Sequence, residues 1–413
     1  MLYLTDTPMF QQGGGYELRV ASIGRALATH FDVTNLAVCG TDWTCEKGTK
    51  DPEVGQLEFV TEQPIVWGQQ KPKSHLWGMR FDSQIALGLM RRIEEIDPAW
   101  VYVGGIRVAA HALEVAQMGH RLIVDMHNDE ADLANQVLST IPRRNWLKRK
   151  KFSAKLERLR FFQNALLANA ATISCCSTKD VSRFQQGGIP ANRLVVVPNE
   201  IPHACDVPGL RSKSEPTAIF VGTLNYAPNV EGLRWFNEKV APMILRQQPN
   251  FRLLVVGRSP TQATIRELAR YSFTKLHVDV RDLSEFYRQA SVSVVPLLTG
   301  GGTRIKILEA AAHGLPTIAT SIGAEGLEVL RSRCYWSADS AFEFQSRTCE
   351  LLDAPPRPQE ISEFVNERFG SVAIGGAIVH CVEAAMRTSL AHRTQSQASH
   401  SASGNPDVQT GRN

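Results

Sequence analysis

Short runs of Val, Ile and Leu recur along the chain, each followed by a stretch whose apolar residues have helical spacing. In the first half they predict strands at 2–4, 33–38, 57–60, 100–103, 122–124, 171–174 and 194–197. In the second half they fall at 218–221, 253–256, 276–278, 292–295 and 317–319. Amphipathic stretches such as 17–30 and 81–96 lie between them. Runs with so little alternation suit strands buried on both faces, and helical crossovers between them imply parallel pairing. The predicted class is α/β, with two Rossmann-like doubly wound domains facing each other across a cleft.

Segment 198–216 is crowded with Pro and polar residues and has no clear periodicity, so the break between domains should fall there. The expected division is an N-terminal domain 1–205, a linker 206–216 and a C-terminal domain 217–387. Residues 388–413 are expected to form a disordered polar tail, because they offer too little apolar surface to fold.

A chain of 413 residues is long enough for two such cores. Lys and Arg total 45 against 41 Asp and Glu, a net charge of +4 that gives no ground for nucleic-acid binding. The eight cysteines show neither a disulfide framework nor a zinc spacing. No run of about 18 apolar residues is present, and Met1 leads into a strand rather than a basic and apolar leader. The expectation is a cytoplasmic protein.

The segment 294–327, VVPLLTGGGTRIKILEAAAHGLPTIATSIGAEGL, carries the most chemistry. A strand ends at Val295, Gly300, Gly301 and Gly302 form a loop, and a helix is expected to begin near Thr303. Unpaired amides at a helix start attract anions, and glycines let an anion approach the backbone closely. Arg304 and Lys306 place positive charge in that first turn, an unfavourable position unless an anion lies nearby. Glu309, further along the helix, can accept hydrogen bonds from sugar hydroxyls. An ordinary helix with solvated charges is the alternative to a phosphate or diphosphate site.

The same segment resembles the C-terminal signature of the group 1, or family 4, glycosyltransferases of the GT-B fold. Glu309-Ala310-Ala311-Ala312-His313-Gly314-Leu315-Pro316 matches the second half of the family's Glu-x7-Glu pattern. By this resemblance Glu309 would bind the ribose of a nucleotide sugar, with Gly301, Gly302 and Thr303 at the donor phosphates. The family's first glutamate falls at Gly301, and the sequence is most similar to a branch that reads GGGTR at this loop. The family's phosphate-binding Arg and Lys would align with Thr223 and Pro228, so Arg304 and Lys306 are expected to supply that charge instead. Further landmarks are 220–225, 255–258, Ser177 with Asp180, and Val197-Pro198-Asn199.

Near the N terminus Gly13-Gly14-Gly15 precedes the helix that carries Arg19. It lacks the third glycine of a dinucleotide fingerprint. By resemblance Gly14 and Gly15 would face the donor phosphates, the alternative being a flexible turn. His127 follows the run 122–126, at the end of a strand where open α/β sheets bind ligands. The resemblance gives it the donor sugar, so His127, Arg304 and Lys306 are the expected catalytic residues. Asp125, Asp129 and Glu130 lie close by but are not read as nucleophiles.

Segment 143–167 holds nine Lys or Arg and one acid, with a rough apolar stripe through Trp146, Phe152, Leu156, Leu159, Phe162 and Leu166. The expectation is a helix packed on the sheet; the alternative is a helix lying on an anionic membrane surface. No Asp-x-Asp, His-Glu-x-x-His, Cys-x-x-Cys, Gly-x-Ser-x-Gly or Walker loop occurs, so metal, thiol and serine-hydrolase chemistry lack support.

The resemblance implies a retaining, metal-independent hexosyltransferase without a cofactor. It would move a sugar from a nucleoside-diphosphate sugar to a saccharide or lipid-linked acceptor in polysaccharide or glycoconjugate assembly. A nucleotide-sugar epimerase, a phosphorylase or a silent nucleotide-sugar-binding protein remain the alternatives.

Overall fold

The structure is a computed structural model that describes residues 1–7, 15–39, 42–50, 57–65, 83–201, 216–280 and 282–402. Gly14, residues 206–215 of the expected linker and residues 403–413 lie outside the described residues.

The first sheet has eight strands: β1 (Leu2–Thr5), β2 (Val33–Cys39), β3 (Asp42–Lys50), β4 (Leu57–Ile65), β5 (Val101–Gly104), β6 (Leu122–Met126), β7 (Ala170–Cys175) and β8 (Leu194–Val196). Their spatial order is β4-β3-β2-β1-β5-β6-β7-β8. Strands β2, β1, β5, β6, β7 and β8 run parallel. At the edge β2, β3 and β4 pair antiparallel. The run at 57–60 is therefore a strand but not part of the parallel array, because β3 brings the chain back beside β2. Strand β3 reads DWTCEKGTK, too polar to announce itself as a buried strand.

Successive residues of the inner strands enter opposite cores. Leu2, Leu4, Val101, Val103, Leu122 and Val124 join one apolar cluster, while Tyr3, Tyr102 and Ile123 join another across the sheet. This period of two explains why these strands need apolar residues at every position.

The second sheet comprises β9 (Thr217–Thr223), β10 (Arg252–Arg258), β11 (Thr274–Val278), β12 (Val292–Val295), β13 (Thr317–Ala319) and β14 (Tyr335–Ser337). Its order is β11-β10-β9-β12-β13-β14, all parallel. In chain order that is 3-2-1-4-5-6, the Rossmann arrangement, with the topological switch between β9 and β12. In the first sheet the switch lies between β1 and β5. Ligands of such sheets sit beyond the strand ends at these switches.

The last helix, Ser371–Ala402, changes the expected ending of the chain. It continues past 388, where composition predicts a disordered tail, and it packs on the N-terminal rather than the C-terminal sheet. Ile374, Ile378, Cys381, Val382 and Ala385 lie in the cluster with Tyr3, Tyr102 and the helix Gly15–His30. That burial, about 1.5–3 kcal/mol for each large side chain, holds the 374–385 part of the helix on the N-terminal domain. It also explains an apolar stretch that composition did not flag as a membrane span. Pro358–Leu390 has the length and hydropathy of a span, yet helices Pro358–Phe369 and Ser371–Ala402 divide it, and 44% of its most apolar window is buried in the molecule.

The basic helix runs Trp146–Asn169. Leu156, Leu159 and Leu166 are buried in the first core, with Phe152 and Phe162 packed against it. Trp146 stands apart from this stripe, 62% exposed.

Candidate functional site

The C-terminal half of the site forms where β12 ends. The chain turns through Gly300 (φ 110°) and Gly302 (φ 80°), a left-handed region that residues with a Cβ adopt only with strain. The helix then runs Ile305–Ala312. It begins two residues later than the pattern predicts, because Arg304 is extended (φ −90°, ψ 95°) and forms the N-cap. Thr303 therefore belongs to the loop. No side chain caps the helix start.

Arg304 donates from Nη1 to the Gly301 carbonyl. Its Nε and Nη2 are buried without a hydrogen-bond partner, and so is Thr303 Oγ1. Burial pulls the Arg304 pKa below the usual guanidinium value. A partly buried guanidinium with two unpartnered nitrogens beside an uncapped helix start is costly, and a bound anion would relieve both.

Lys306 turns toward β9. Its Nζ donates to Asn229 Oδ1 at 3.0 Å and lies 4.2 Å from the centre of the Phe220 ring. Gly222 makes room for it, since a Cβ there would stand 2.9 Å from Nζ. The ammonium thus stands beside Gly222 and Asn229, the chain neighbours of Thr223 and Pro228, where the sequence lacks a cation. Burial, reinforced by Arg304 and opposed by Glu309, lowers its pKa to about 7.

Glu309 accepts a hydrogen bond from Tyr287 OH at 3.0 Å. Burial raises its pKa to about 7, against the pull of that bond and of Lys306. Tyr287 in turn stacks on His313 with ring centres 4.6 Å apart. Asn229 and Tyr287 have no sequence signal of their own, because each is identified only by the charged residue it meets.

Across the cleft, the ends of β1, β5 and β6 bring together Asp6, Gly105, Arg107 and His127. Asp6 accepts hydrogen bonds from Tyr16 OH and from Arg107 Nη1, the latter at 3.2 Å. Arg107 stacks over the Tyr16 ring at 3.9 Å, and the Tyr16 and His127 rings lie 4.6 Å apart. Sequence reasoning missed Asp6, Tyr16 and Arg107; the one available signal was Asp6 just beyond the first strand.

Arg19 is buried and forks onto Asp125, with Nε–Oδ2 at 2.8 Å and Nη2–Oδ1 at 2.6 Å. Burial alone would push the Asp125 carboxyl up, but the Arg19 guanidinium and His127 hold it well below the usual carboxylate range. His127 Nε2 lies 3.0 Å from Asp125 Oδ2. Asp129 caps the helix Glu130–Thr140 through the Asp132 amide, and Glu130 Oε1 accepts from Asn128 Nδ2 at 3.3 Å. Both carboxylates therefore have structural partners.

The two halves touch directly. A Cβ on Gly302 would overlap Asn128 Oδ1, and one on Gly15 would stand 3.2 Å from Ile305 Cδ1. Glu325 pairs with Lys179 at 2.8 Å and with Arg183, both on the helix Thr178–Gln186. Ser177 caps that helix by accepting the Asp180 amide at 3.2 Å, and its hydroxyl donates to Asp180 Oδ2 at 2.6 Å. The structure thus gathers Gly301, Gly302, Thr303, Arg304, Lys306 and Glu309 in one corner, and Asn128 brings the end of β6 that carries His127 against it. Among the described residues no group of three or more His, Cys, Asp or Glu could hold a metal ion.

Two protein-family models match this chain. The glycosyl transferase 4-like domain covers residues 14–200, and glycosyl transferases group 1 covers residues 215–354. A curated relative from Klebsiella pneumoniae, an uncharacterized 44.6 kDa protein in the cps region, is 27% identical over 115 residues. That match covers 26% of this chain and only 30% of the relative's length. Among solved structures, sucrose-phosphate synthase from Thermosynechococcus elongatus is 15% identical with a TM-score of 0.60, covering 96% of this chain and 99% of that one. HepE from Anabaena, in complex with UDP and glucose, is 12% identical with a TM-score of 0.59, covering 92% and 99%. These likenesses are of fold. The two family models between them span the site corner and every strand except β1, and the chain belongs to the group 1 glycosyltransferases of the GT-B fold.

Proposed function

We propose that this chain transfers a glycosyl group from a nucleoside-diphosphate sugar to an acceptor hydroxyl. The observation that carries this reading is Arg304, partly buried at an uncapped helix start, with two guanidinium nitrogens shielded from solvent and unpartnered. A diphosphate supplies the missing acceptors. Glu309 then meets the ribose, and His127 faces the donor sugar from the opposite domain.

As the glycosidic bond breaks, negative charge grows on the departing diphosphate while the sugar becomes oxocarbenium-like. Arg304, Lys306 and the helix amides stabilise that charge, and this electrostatic contribution is the main catalytic effect. Lys306 is only partly protonated when the site is free, since its pKa is about 7. An arriving diphosphate would draw a proton onto it. The reading includes retention of configuration, no metal ion and no cofactor, as the sequence resemblance implies. The ion pairs of Glu325 with Lys179 and Arg183 would hold the domains together, which limits water attack on the donor.

The Anabaena neighbour was solved with UDP and glucose, which favours a uridine diphosphate sugar as donor. The cps-region relative favours polysaccharide assembly as the setting. A lipid-linked acceptor would suit the exposed Trp146 and Leu147, which stand beside Arg143, Arg144, Lys148, Lys150 and Lys151. That end of the helix would rest on an anionic membrane surface from the cytoplasmic side.

Calorimetry with UDP-, GDP- and ADP-sugars, followed by a transfer assay on each that binds, tests the reading. Arg304→Ala should lower turnover about tenfold or more. Wild-type turnover in that variant, or donor binding without transfer to any acceptor, would defeat it.

A further inference from the structure

We propose that the buried pair Arg19–Asp125 fixes the tautomer of His127, so that Nε2 carries the proton and Nδ1 accepts a hydroxyl of the bound sugar. The inference deepens the proposed function and rests on its reading of His127 as a sugar-facing residue. Arg19 and Asp125 are then positioning residues, acting through the imidazole.

Asp125 is fully buried, and its carboxylate is acceptor-only when ionised. Oδ1 receives Arg19 Nη2–H at 2.6 Å and the Ser174 hydroxyl at 2.5 Å. Ser174 has spent its one proton, so the contact of Tyr102 OH with Ser174 Oγ at 2.8 Å has the tyrosine as donor. Oδ2 receives Arg19 Nε–H at 2.8 Å. What remains near Oδ2 is His127 Nε2, 3.0 Å away.

A nitrogen lone pair facing a carboxylate would be repelled, whereas an N–H would be attracted. The approach is off the line of an ideal hydrogen bond, so the carboxylate acts on the ring chiefly as a nearby charge. A neutral imidazole has a single N–H, and placing it on Nε2 leaves a lone pair on Nδ1. Nδ1 is buried and has no partner. A sugar hydroxyl can donate to it, whereas an acceptor atom of the donor or a second carbonyl cannot.

The frame that holds this arrangement is rigid. Arg19 also donates to Asn199 Oδ1 and to the Val197 carbonyl, each at 2.9 Å. One guanidinium thereby joins the helix Gly15–His30, β6 and the segment after β8. Tyr16 packs against the imidazole, and Gly105 leaves room on the Nε2 side, where a Cβ would stand 3.6 Å away. The sequence separates Arg19 from Asp125 by 106 positions, so no local motif records the pairing.

The test is nitrogen-15 NMR of the histidine side chains in the full-length protein, combined with transfer kinetics. In the wild type, His127 should show a protonated Nε2 and a bare Nδ1. Asp125→Asn preserves the shape but can turn an amide N–H toward Nε2, moving the ring proton to Nδ1. Turnover should then fall about tenfold, the scale of one lost hydrogen bond, with the KM for donor little changed. His127→Ala should cost about as much, and adding Asp125→Asn to it should cost nothing further.

A wild-type spectrum with the proton on Nδ1 overturns the proposal without any variant, as does an Asp125→Asn protein with unchanged tautomer and rate. Wild-type turnover in His127→Ala would instead overturn the reading of His127 on which the proposal rests, whatever the spectrum showed.

Discussion

Gly302 and Asn128 meet across the cleft with no room for one further carbon, because a Cβ on Gly302 would overlap the Asn128 side-chain oxygen. Gly302 also has φ 80°, where an alanine pays about 1 kcal/mol or more in strain. With Asn128 in place, the loop that carries Arg304 can therefore approach the end of β6 only if residue 302 is glycine. Gly302→Ala is expected to lower turnover about tenfold, the scale of a misplaced catalytic loop. Adding Asn128→Ala removes the overlap but not the φ strain, so the double variant should recover most of the rate. Steady-state transfer kinetics on both variants check this, and a double variant no faster than the single one would show that the overlap is not the cause.

Arg19 and Asp125 lie 2% and 0% exposed, so removing one leaves the other as an unpaired buried charge. Arg19→Met is expected to destabilise the fold by about 3–5 kcal/mol at neutral pH. The sign of the pH dependence follows from Asp125. Its folded-state pKa is depressed, so the pair's contribution is complete above the unfolded value of about 4 and is lost as the pH falls below it. In Arg19→Met the orphaned carboxyl protonates more readily, and the gap between variant and wild type should narrow in acid. Urea midpoints at pH 7 and pH 4 measure both effects.

Much of this architecture is legible in the sequence, for reasons that also mark where legibility ends. The inner strands alternate between two buried faces, so runs such as Leu122-Ile123-Val124 stand out. Strand β3 does not, because a polar strand in the antiparallel extension of the sheet lacks that signature. The helix Ser371–Ala402 shows apolar spacing, but spacing alone does not say which sheet it covers. The loop Gly300–Gly302, Arg304 and Glu309 could be read because they are neighbours in the chain. Lys306 meeting Asn229, Tyr287 meeting Glu309 and Arg19 meeting Asp125 depend on contacts across 77, 22 and 106 positions. These pairings, together with burial, shape the site, and they appear only in the folded chain.

Lys306 and Glu309 both have pKa values near 7 in the free site, one lowered and one raised by burial. A diphosphate favours the charged ammonium and would raise the Lys306 pKa in the complex. Donor affinity should therefore fall as the pH rises above about 7. Ribose hydroxyls favour the Glu309 carboxylate and would lower its pKa, so affinity should also fall as the pH drops below about 7. The result is a bell centred near neutrality. Lys306→Met should flatten the alkaline side and Glu309→Gln the acid side. Calorimetric titrations with the donor from pH 5 to 9, about two pH units on either side of those values, read each side separately.

Trp146, 62% exposed, and Leu147, 57% exposed, present apolar surface among five basic side chains at the start of a helix whose remaining stripe is buried. Each Lys or Arg near an anionic bilayer contributes about 1 kcal/mol, and the indole adds interfacial burial. The protein is therefore expected to co-sediment with vesicles rich in anionic lipid and not with zwitterionic ones. Trp146→Glu should weaken that binding about tenfold or more, since it both removes the apolar anchor and adds a repelled charge. Its effect on folding should stay within about 0.5 kcal/mol, because the side chain contributes little to the core. Raising the salt to about 0.5 M, where the Debye length falls to a few ångströms, should release the wild type. Equal sedimentation with both vesicle types would assign Trp146 no part in a charged membrane contact.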